Sequence, residues 1–206
     1  MEKELYIIRH AETDLNKQGI VQGQGVDADI NALGKAQAKA FHQAYRDIPF
    51  DRIYISELKR TYQTIEAFIK QGIPYEQHAG LNEISWGIYE GKAQGPESKA
   101  DFNRVVQGWE QGLLDIAVKG GETPLQVQRR LQGALEQIML NPQDKTLLIC
   151  MHGRVLRIFL CMLLDKPLTE MNAFPHQNTA LYRLQYQQDA FQLLDAFNTS
   201  HLESLK

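Results

Sequence analysis

The sequence lacks several features that mark specialised classes of protein. No apolar run approaches the ~20 residues that a membrane-spanning helix needs, and there is no internal repeat or low-complexity tract. The charged start, residues 1–4, leads into an apolar run without the longer apolar core of a signal peptide. Only two residues are cysteine, Cys150 and Cys161, and both lie in apolar segments, as is typical of buried thiols in a reducing compartment. We therefore expect a cytoplasmic protein without a membrane partner.

The sequence also lacks an excess of charge of either sign. Lys and Arg number 22 against 25 Asp and Glu, which gives a formal net charge of −3. Without a basic face, binding to nucleic acid or to an anionic membrane surface is not expected. The composition, 43% hydrophobic and 23% charged, is that of an ordinary globular protein. The length predicts a single domain, residues 1–206, with room for one insertion.

Two kinds of apolar segment alternate along the chain. Short runs rich in β-branched residues predict strands at residues 5–8, 52–55 and 146–151. Longer stretches with helical apolar spacing predict helices at about 33–46, from 58 onward, from 124 to about 140, and at 155–164. Asn31 and Thr123 stand where two of these helices need a capping side chain. The alternation favours an α/β fold, a three-layer α/β/α sandwich with a mostly parallel central sheet.

Two segments do not follow this alternation. Residues 181–184 and 191–194 predict two strands around the turn 187–189, a hairpin at the sheet edge. The polar segment of about residues 92–121 predicts an insertion that lies over the C-terminal edge of the strands, where loops shape a pocket.

Charged and imidazole side chains stand directly behind the predicted strands. Arg9 and His10 follow the first strand, Arg60 lies one turn into the helix after the second, and His152 follows the third. Because the carboxyl ends of parallel strands face one crevice, we expect these four side chains to meet in one pocket. Arginine donates paired hydrogen bonds to phosphate oxygens and keeps its charge, and a neutral histidine can attack phosphorus. The sequence therefore predicts a phosphate site.

A covalent route through histidine also needs a carboxylic acid to protonate the leaving oxygen and then to activate water. Glu83 is the preferred candidate, and the other carboxylates near the motifs are Glu12, Glu57 and Glu90. Glu57 is expected to be a solvated carboxylate at a helix start, where the helix dipole favours it.

Several motifs, in one order, carry a resemblance to a known family. Arg9-His10-Ala11-Glu12-Thr13 resembles the Arg-His-Gly-Glu-Thr signature of the histidine phosphatase (phosphoglycerate mutase-like) superfamily, phosphatase branch. The further blocks that resemble family motifs are Asn16, Gln22-Gly23, Gly34 with Gln37-Ala38, Ser56 to Thr61 with Thr64, Leu81 to Gly91, Gly120 to Thr123, His152-Gly153 and Asn178. The resemblance extends from residue 5 to about residue 185.

The resemblance implies an enzyme that hydrolyses a small phosphomonoester through a phosphohistidine. His10 would be the nucleophile and Glu83 the proton donor, while Arg9, Arg60 and His152 would hold the phosphoryl group. The further residues expected to contact phosphate or substrate are Asn16, Gln22 and Gly153. The resemblance also implies that no metal and no other cofactor is needed, because arginine and histidine supply the positive charge.

Two other functions stay open. A phosphoglycerate mutase that uses a bisphosphate primer must also hold a carboxylate, and related mutases carry adjacent arginines in the insertion. Here Arg104 is the sole arginine among residues 92–121, so net hydrolysis is favoured. The second alternative is a non-catalytic module that binds a phosphate ligand, which is disfavoured because a binder needs no nucleophile.

Residues outside these motifs are predicted to have structural roles. Arg157 is expected to face solvent, although it lies one turn past His152 and could support the pocket. The histidines expected at surface or structural positions are His42, His78, His176 and His201. Packing is the preferred role of the aromatic residues that could line the substrate entrance, which are Trp86, Tyr89, Phe102 and Trp109.

Overall fold

The computed structural model describes residues 2–205, and its centre is a six-stranded sheet in the order β3-β2-β4-β1-β5-β6. The strands are β1 (Lys3–Arg9), β2 (Arg52–Ile55), β3 (Tyr75–Gln77), β4 (Thr146–Met151), β5 (Leu181–Gln187) and β6 (Ala190–Asn198). The first four strands are parallel to one another, and β5 and β6 form an antiparallel hairpin at one edge. The predicted mostly parallel sheet is confirmed.

Helices connect the parallel strands. They are α1 (Asp14–Lys17), α2 (Ala32–Tyr45), α3 (Lys59–Lys70), α4 (Pro96–Glu110), α5 (Pro124–Met139) and α6 (Gly153–Leu163). The two predicted caps are present: Asn31 Oδ1 accepts from the N–H of Gly34 at 2.8 Å, and Thr123 Oγ1 accepts from the N–H of Gln126 at 3.2 Å. Among residues 2–205, no helix is both long and apolar enough to cross a membrane.

The helices cover both faces of the sheet, because successive strand side chains point to opposite faces. In β1, Leu5 and Ile7 pack with the apolar sides of α5 and α6, whereas Tyr6 and Ile8 pack with those of α2 and α3. This arrangement is the predicted three-layer α/β/α sandwich. Cys150 and Cys161 are buried free thiols in these layers.

The polar segment 92–121 contains a helix that the sequence analysis did not predict. Gly95 precedes Pro96 at the first helical position, and Phe102, Val105 and Trp109 follow at i, i+3 and i+7 on one face. Val105 and Trp109 are buried, and the Trp109 ring stacks on Trp86 at 5.6 Å between centroids. The sequence pattern did not predict α4 because its apolar stripe is short and the residues on its other faces are mostly polar. The edge strand β3, three exposed residues long, was also not predicted.

The pairing register of the sheet brings together residues that the sequence analysis assigned to the phosphate site. Both β1 and β2 pair in parallel with β4, and all three strands end at the same edge. The residues that follow them, His10, Ser56 and His152, therefore emerge side by side.

We expect Trp109→Ala to lower the free energy of unfolding by about 3–5 kcal/mol, since it leaves a cavity where a large side chain was buried. The substitution also removes the hydrogen bond from Trp109 Nε1 to the carbonyl oxygen of Ile116, 2.9 Å long. Urea unfolding measures the change. Leu113→Ala, at a side chain 50% exposed in the same segment, is the matched control and should change stability by at most about 0.5 kcal/mol. Equal losses in the two variants would contradict the packing role of α4.

Candidate active site

A cavity of about 230 Å³ opens where β1 ends and α6 begins. Six of the eight residues that the sequence analysis assigned to the site line it: Arg9, His10, Asn16, Gln22, Glu83 and Gly153. The other two, Arg60 and His152, lie fully buried beside His10. Further lining comes from the apolar side chains Ile20, Val21, Trp86 and Phe102 and from two basic residues, Arg154 and His176.

The imidazole of His10 is held as one tautomer. It is 3% exposed, and its Nδ1 lies 2.8 Å from the carbonyl oxygen of Ala11, which can only accept. Nδ1 therefore carries the proton and Nε2 keeps its lone pair. Burial, together with the charges of Arg60 and Arg9, lowers the pKa of His10 well below its ordinary value of 6.5. A neutral ring with an unprotonated Nε2 is the form that can attack phosphorus.

The backbone at the end of β1 is held by residues 178–179. Asn178 Nδ2 donates to the carbonyl oxygen of His10 at 2.9 Å, and the N–H of Thr179 donates to the carbonyl oxygen of Arg9 at 3.0 Å. Thr179 has φ +58, a left-handed conformation that a β-branched residue rarely adopts. These bonds fix the peptide from which the His10 side chain projects.

His152 lies next to His10, with 5.1 Å between ring centroids, and both of its nitrogens are occupied. Arg60 Nε donates to His152 Nδ1 at 3.1 Å, so the proton is on Nε2, which donates to Ser56 Oγ at 2.8 Å. Burial and the adjacent Arg60 charge lower the pKa of His152 well below 6.5. A phosphate held by both Arg60 and His152 would replace the hydrogen bond between them.

Among the described residues, the hydrogen-bond partners of the Arg60 guanidinium are all neutral. Besides His152, it donates to the carbonyl oxygens of Val26 at 2.7 Å and Gly23 at 3.3 Å. Burial lowers the pKa of Arg60 from its ordinary value. A desolvated cation without a carboxylate partner is prepared to receive an anion.

Arg9 is oriented by His176. Arg9 donates through a terminal nitrogen to His176 Nδ1 at 3.0 Å, and burial lowers the pKa of Arg9 to about 10. Burial and the Arg9 charge lower the pKa of His176 to about 3, so this ring is a neutral acceptor. Gly153 permits the contact, since a Cβ at this position would lie 3.0 Å from the His176 ring. His176, predicted at a surface or structural position, thus lines the cavity, where only the fold brings it.

Glu83 is held by the N-terminus of α6. Its Oε1 accepts from the N–H groups of Ile84 at 2.9 Å and Val155 at 3.0 Å, and its Oε2 accepts from that of Arg154 at 3.1 Å. The first N–H groups of a helix have no partner within the helix, and the positive end of the helix dipole attracts a carboxylate. The side chain is 7% exposed and faces the cavity that His10 also lines.

The loop that carries Glu83 is fixed by Arg130 of α5. Arg130 donates to the carbonyl oxygens of Asn82 at 2.7 Å and Glu83 at 3.2 Å and forms an ion pair with Glu122 at 3.0 Å. Glu122 in turn accepts from the N–H of Ser85 at 2.8 Å. The motif Gly120 to Thr123 thus acts by positioning the loop.

The other candidate carboxylates do not line the cavity. Each accepts a hydrogen bond elsewhere: Glu12 from Asn31, Glu57 from Asn82, and Glu90 from the N–H of Trp86. Among residues 2–205, no three His, Cys, Asp or Glu side chains are grouped as a metal site would require.

Asn16 and Gln22 present amide groups to the cavity. Asn16 Oδ1 lies 3.2 Å from Asn178 Nδ2, and Gln22 Nε2 donates to Thr13 Oγ1 at 2.8 Å. Gln22 Oε1 is buried and has no partner among the described residues. Of the aromatic candidates, Trp86 and Phe102 line the cavity, and Trp109 is buried behind Trp86.

One arginine of α6, Arg154, was not predicted at the site, and for a second, Arg157, the main prediction was solvent exposure. Arg154 lines the cavity, and Arg157, expected to face solvent, is only partly exposed and donates to the carbonyl oxygen of Phe174 at 2.8 Å. The main prediction for Arg157, that it faces solvent, is therefore wrong. Two arginines three residues apart in an otherwise apolar helix were a signal that sequence analysis could have used.

Known proteins resemble this chain over nearly its whole length. The family model of the histidine phosphatase superfamily (branch 1) matches residues 5–199. The chain belongs to the histidine phosphatase superfamily.

The superfamily includes relatives with both phosphatase and mutase names. The chain is 29% identical to phosphoserine phosphatase 1 of Hydrogenobacter thermophilus over 96% of its own length and 93% of that protein's. It is 27% identical to "Probable phosphoglycerate mutase GpmB" of Yersinia enterocolitica, over 97% and 95% of the two lengths. Among solved structures, YhfR of Bacillus stearothermophilus superposes with a TM-score of 0.85 at 26% identity, over 98% of this chain and 100% of that one.

We expect the ring of His10 to remain neutral when the pH is lowered through 6.5, the ordinary histidine pKa. Burial and two neighbouring cations disfavour the charged form, so proton uptake moves to well below that pH. Imidazole 15N shifts measure both the charge and the tautomer, and the spectrum of His10→Gln assigns the signals. A ring that takes up a proton near pH 6.5, or one protonated at Nε2, would contradict the described geometry.

Proposed function

We propose that the protein hydrolyses a small phosphomonoester through a phosphohistidine on His10. The observation that carries this proposal is the unprotonated Nε2 of a buried, neutral His10 in a cavity that Arg9 and Glu83 also line. Residues 1–206 would form a single histidine phosphatase domain, and the segment 92–121 would cover its active site.

In the first step, His10 Nε2 attacks phosphorus and the bond from phosphorus to the ester oxygen breaks. Glu83 in its protonated form gives its proton to the leaving oxygen, and Arg9 and Arg60 stabilise the negative charge on the other phosphoryl oxygens. In the second step, Glu83 takes a proton from water, which attacks phosphorus and breaks the bond to Nε2. Phosphate leaves, and His10 returns to its neutral form.

The other predicted contacts have separate roles in this proposal. Once Arg60 turns from His152 to the phosphate, His152 would donate from Nδ1 to a phosphoryl oxygen, in the tautomer whose Nε2 accepts from the Ser56 hydroxyl. Asn16 and Gln22 would donate their amide N–H groups. The cavity, about 230 Å³, is smaller than the ~300–1,000 Å³ of sites for drug-sized ligands, which supports a small substrate.

A mutase remains the second candidate, because relatives of nearly equal length carry a mutase name. A mutase returns the phosphoryl group to a second hydroxyl, whereas a phosphatase gives it to water. The protein would be mainly a mutase if it interconverts monophosphoglycerates faster than it releases phosphate. This interconversion should then depend on added bisphosphoglycerate.

We expect His10→Gln to abolish hydrolysis of p-nitrophenyl phosphate in the presence of a chelator, because the nucleophile is lost. Wild-type protein quenched during turnover of a 32P-labelled substrate should carry acid-labile label, and the variant should carry none. His42→Gln, at a histidine outside the cavity, is the control and should keep both signals. Turnover without His10, or no turnover by the wild type on a broad phosphomonoester panel, would refute the proposal; the second result would favour the non-catalytic binding module.

We expect Glu83→Gln to lower kcat/KM for an alkyl phosphate by about 10²–10⁴-fold, the usual contribution of a general acid. The loss for p-nitrophenyl phosphate should be much smaller, because p-nitrophenolate leaves without protonation. Steady-state kinetics on both substrates give the comparison, and Glu12→Gln provides the control. Equal losses on the two substrates would assign Glu83 a merely structural role.

A further inference from the structure

Arg154 is a cation in the cavity that the proposed hydrolysis does not use. Its guanidinium carbon lies 5.4 Å from the ring centroid of Trp109 and 5.9 Å from that of Trp86. One terminal nitrogen donates to Asn172 Oδ1 at 2.8 Å. Stacking and this hydrogen bond hold the group at the cavity wall in one orientation.

Within the described part of the chain no carboxylate oxygen lies within 4.0 Å of this guanidinium, although the charges of Glu83 and Glu110 are near enough to raise its pKa. Asn172 Oδ1 also accepts from Arg157 at 2.7 Å, so two cations share one neutral oxygen. Burial and the charge of Arg157 lower the pKa of Arg154 to about 10, which leaves it protonated at neutral pH. The Glu83 carboxylate contacts only the backbone N–H of Arg154 and is held by two further N–H groups.

The charges lining the cavity therefore exceed what a phosphate needs. Arg9 lines the cavity and Arg60 lies buried beside His10, and the proposed mechanism assigns both to the phosphoryl group. Arg154 remains available for a second anion on the same ligand. We propose that Arg154 binds a carboxylate of the substrate, so that the preferred substrates are small phosphomonoesters that carry a carboxylate.

A carboxylate fits this position better than a second phosphate for two reasons. The planar fork of arginine matches the two oxygens of a carboxylate, and with one nitrogen engaged by Asn172 one fork edge stays open. The cavity is also small, about 230 Å³, and the rings of Trp86 and Phe102, which pack on each other at 4.7 Å between centroids, form part of its wall. The proposal rests on the proposed function for its phosphate subsite but adds a separate anion subsite.

The test compares two substrates that differ only in whether they carry a second anionic group. 3-Phosphoglycerate and glycerol 3-phosphate share a three-carbon skeleton, with a carboxylate in the first where the second has a CH2OH group. We expect wild-type kcat/KM to favour 3-phosphoglycerate and Arg154→Met to reduce that preference by about 10- to 100-fold, the usual effect of a charge-assisted hydrogen bond pair. Arg104→Met, at an exposed arginine of α4 paired with Asp101, is the matched control and should keep the preference.

A second variant separates the effect of the positive charge from that of the planar guanidinium. Arg154→Lys keeps the positive charge and loses the planar fork, so its preference should lie between those of wild type and Arg154→Met. An unchanged preference in both Arg154 variants, or a wild-type preference for glycerol 3-phosphate, would overturn the carboxylate subsite. A wild type that prefers 1,3-propanediol bisphosphate to both substrates, through Arg154, would assign the subsite to phosphate instead.

Failure of the proposed function gives a different result. If wild type hydrolyses none of these compounds and no p-nitrophenyl phosphate, the hydrolytic mechanism is wrong. The subsite is then tested by calorimetry, which gives the Kd of 3-phosphoglycerate and of glycerol 3-phosphate. The ratio of the two Kd values is compared between wild type and Arg154→Met. Equal affinities for the two ligands in the wild type would refute it.

Discussion

The hydrogen bond from His10 Nδ1 to the carbonyl oxygen of Ala11 is the interaction on which the site depends. It leaves the lone pair on Nε2, and burial beside two arginines keeps the ring neutral. The end of β1 must be rigid for this bond to form. Asn178 and Thr179, more than 160 residues later in the chain, supply that rigidity through hydrogen bonds to the backbone of residues 9 and 10.

Around His10 the protein gathers cations that have no direct ion pair with any carboxylate of residues 2–205. Arg60 donates to carbonyl oxygens and to His152, and Arg9 donates to a neutral His176. Such groups lose hydration on burial and recover it only in part from neutral acceptors, so the site is electrostatically poised for an anion. The one carboxylate in the cavity, Glu83, is held by helix N–H groups, which leaves the arginines free.

Sequence patterns predicted the parts of the fold that follow local rules. The strands β1, β2 and β4 and the helices α2, α3, α5 and α6 have strong apolar patterns, and α2 and α5 also have clear capping residues. Helix α4 was missed because its apolar stripe is short and its other faces are polar, and β3 because its three residues are exposed. Likewise the motifs predicted which side chains meet at the sheet edge, yet gave no sign of His176, which lies in a loop and matches no motif.

The sequence by itself determined the fold class, the family and the set of chemically capable side chains, because apolar periodicity and motif order are local and linear properties. Only the tertiary structure decided the tautomer of His10, the engagement of Arg60 with His152, and the presence of Arg154 and His176 in the cavity. Those properties depend on burial and on hydrogen-bond partners distant in the chain, such as Asn172 and Ser56. Their energies arise from desolvation, and no local sequence pattern encodes desolvation.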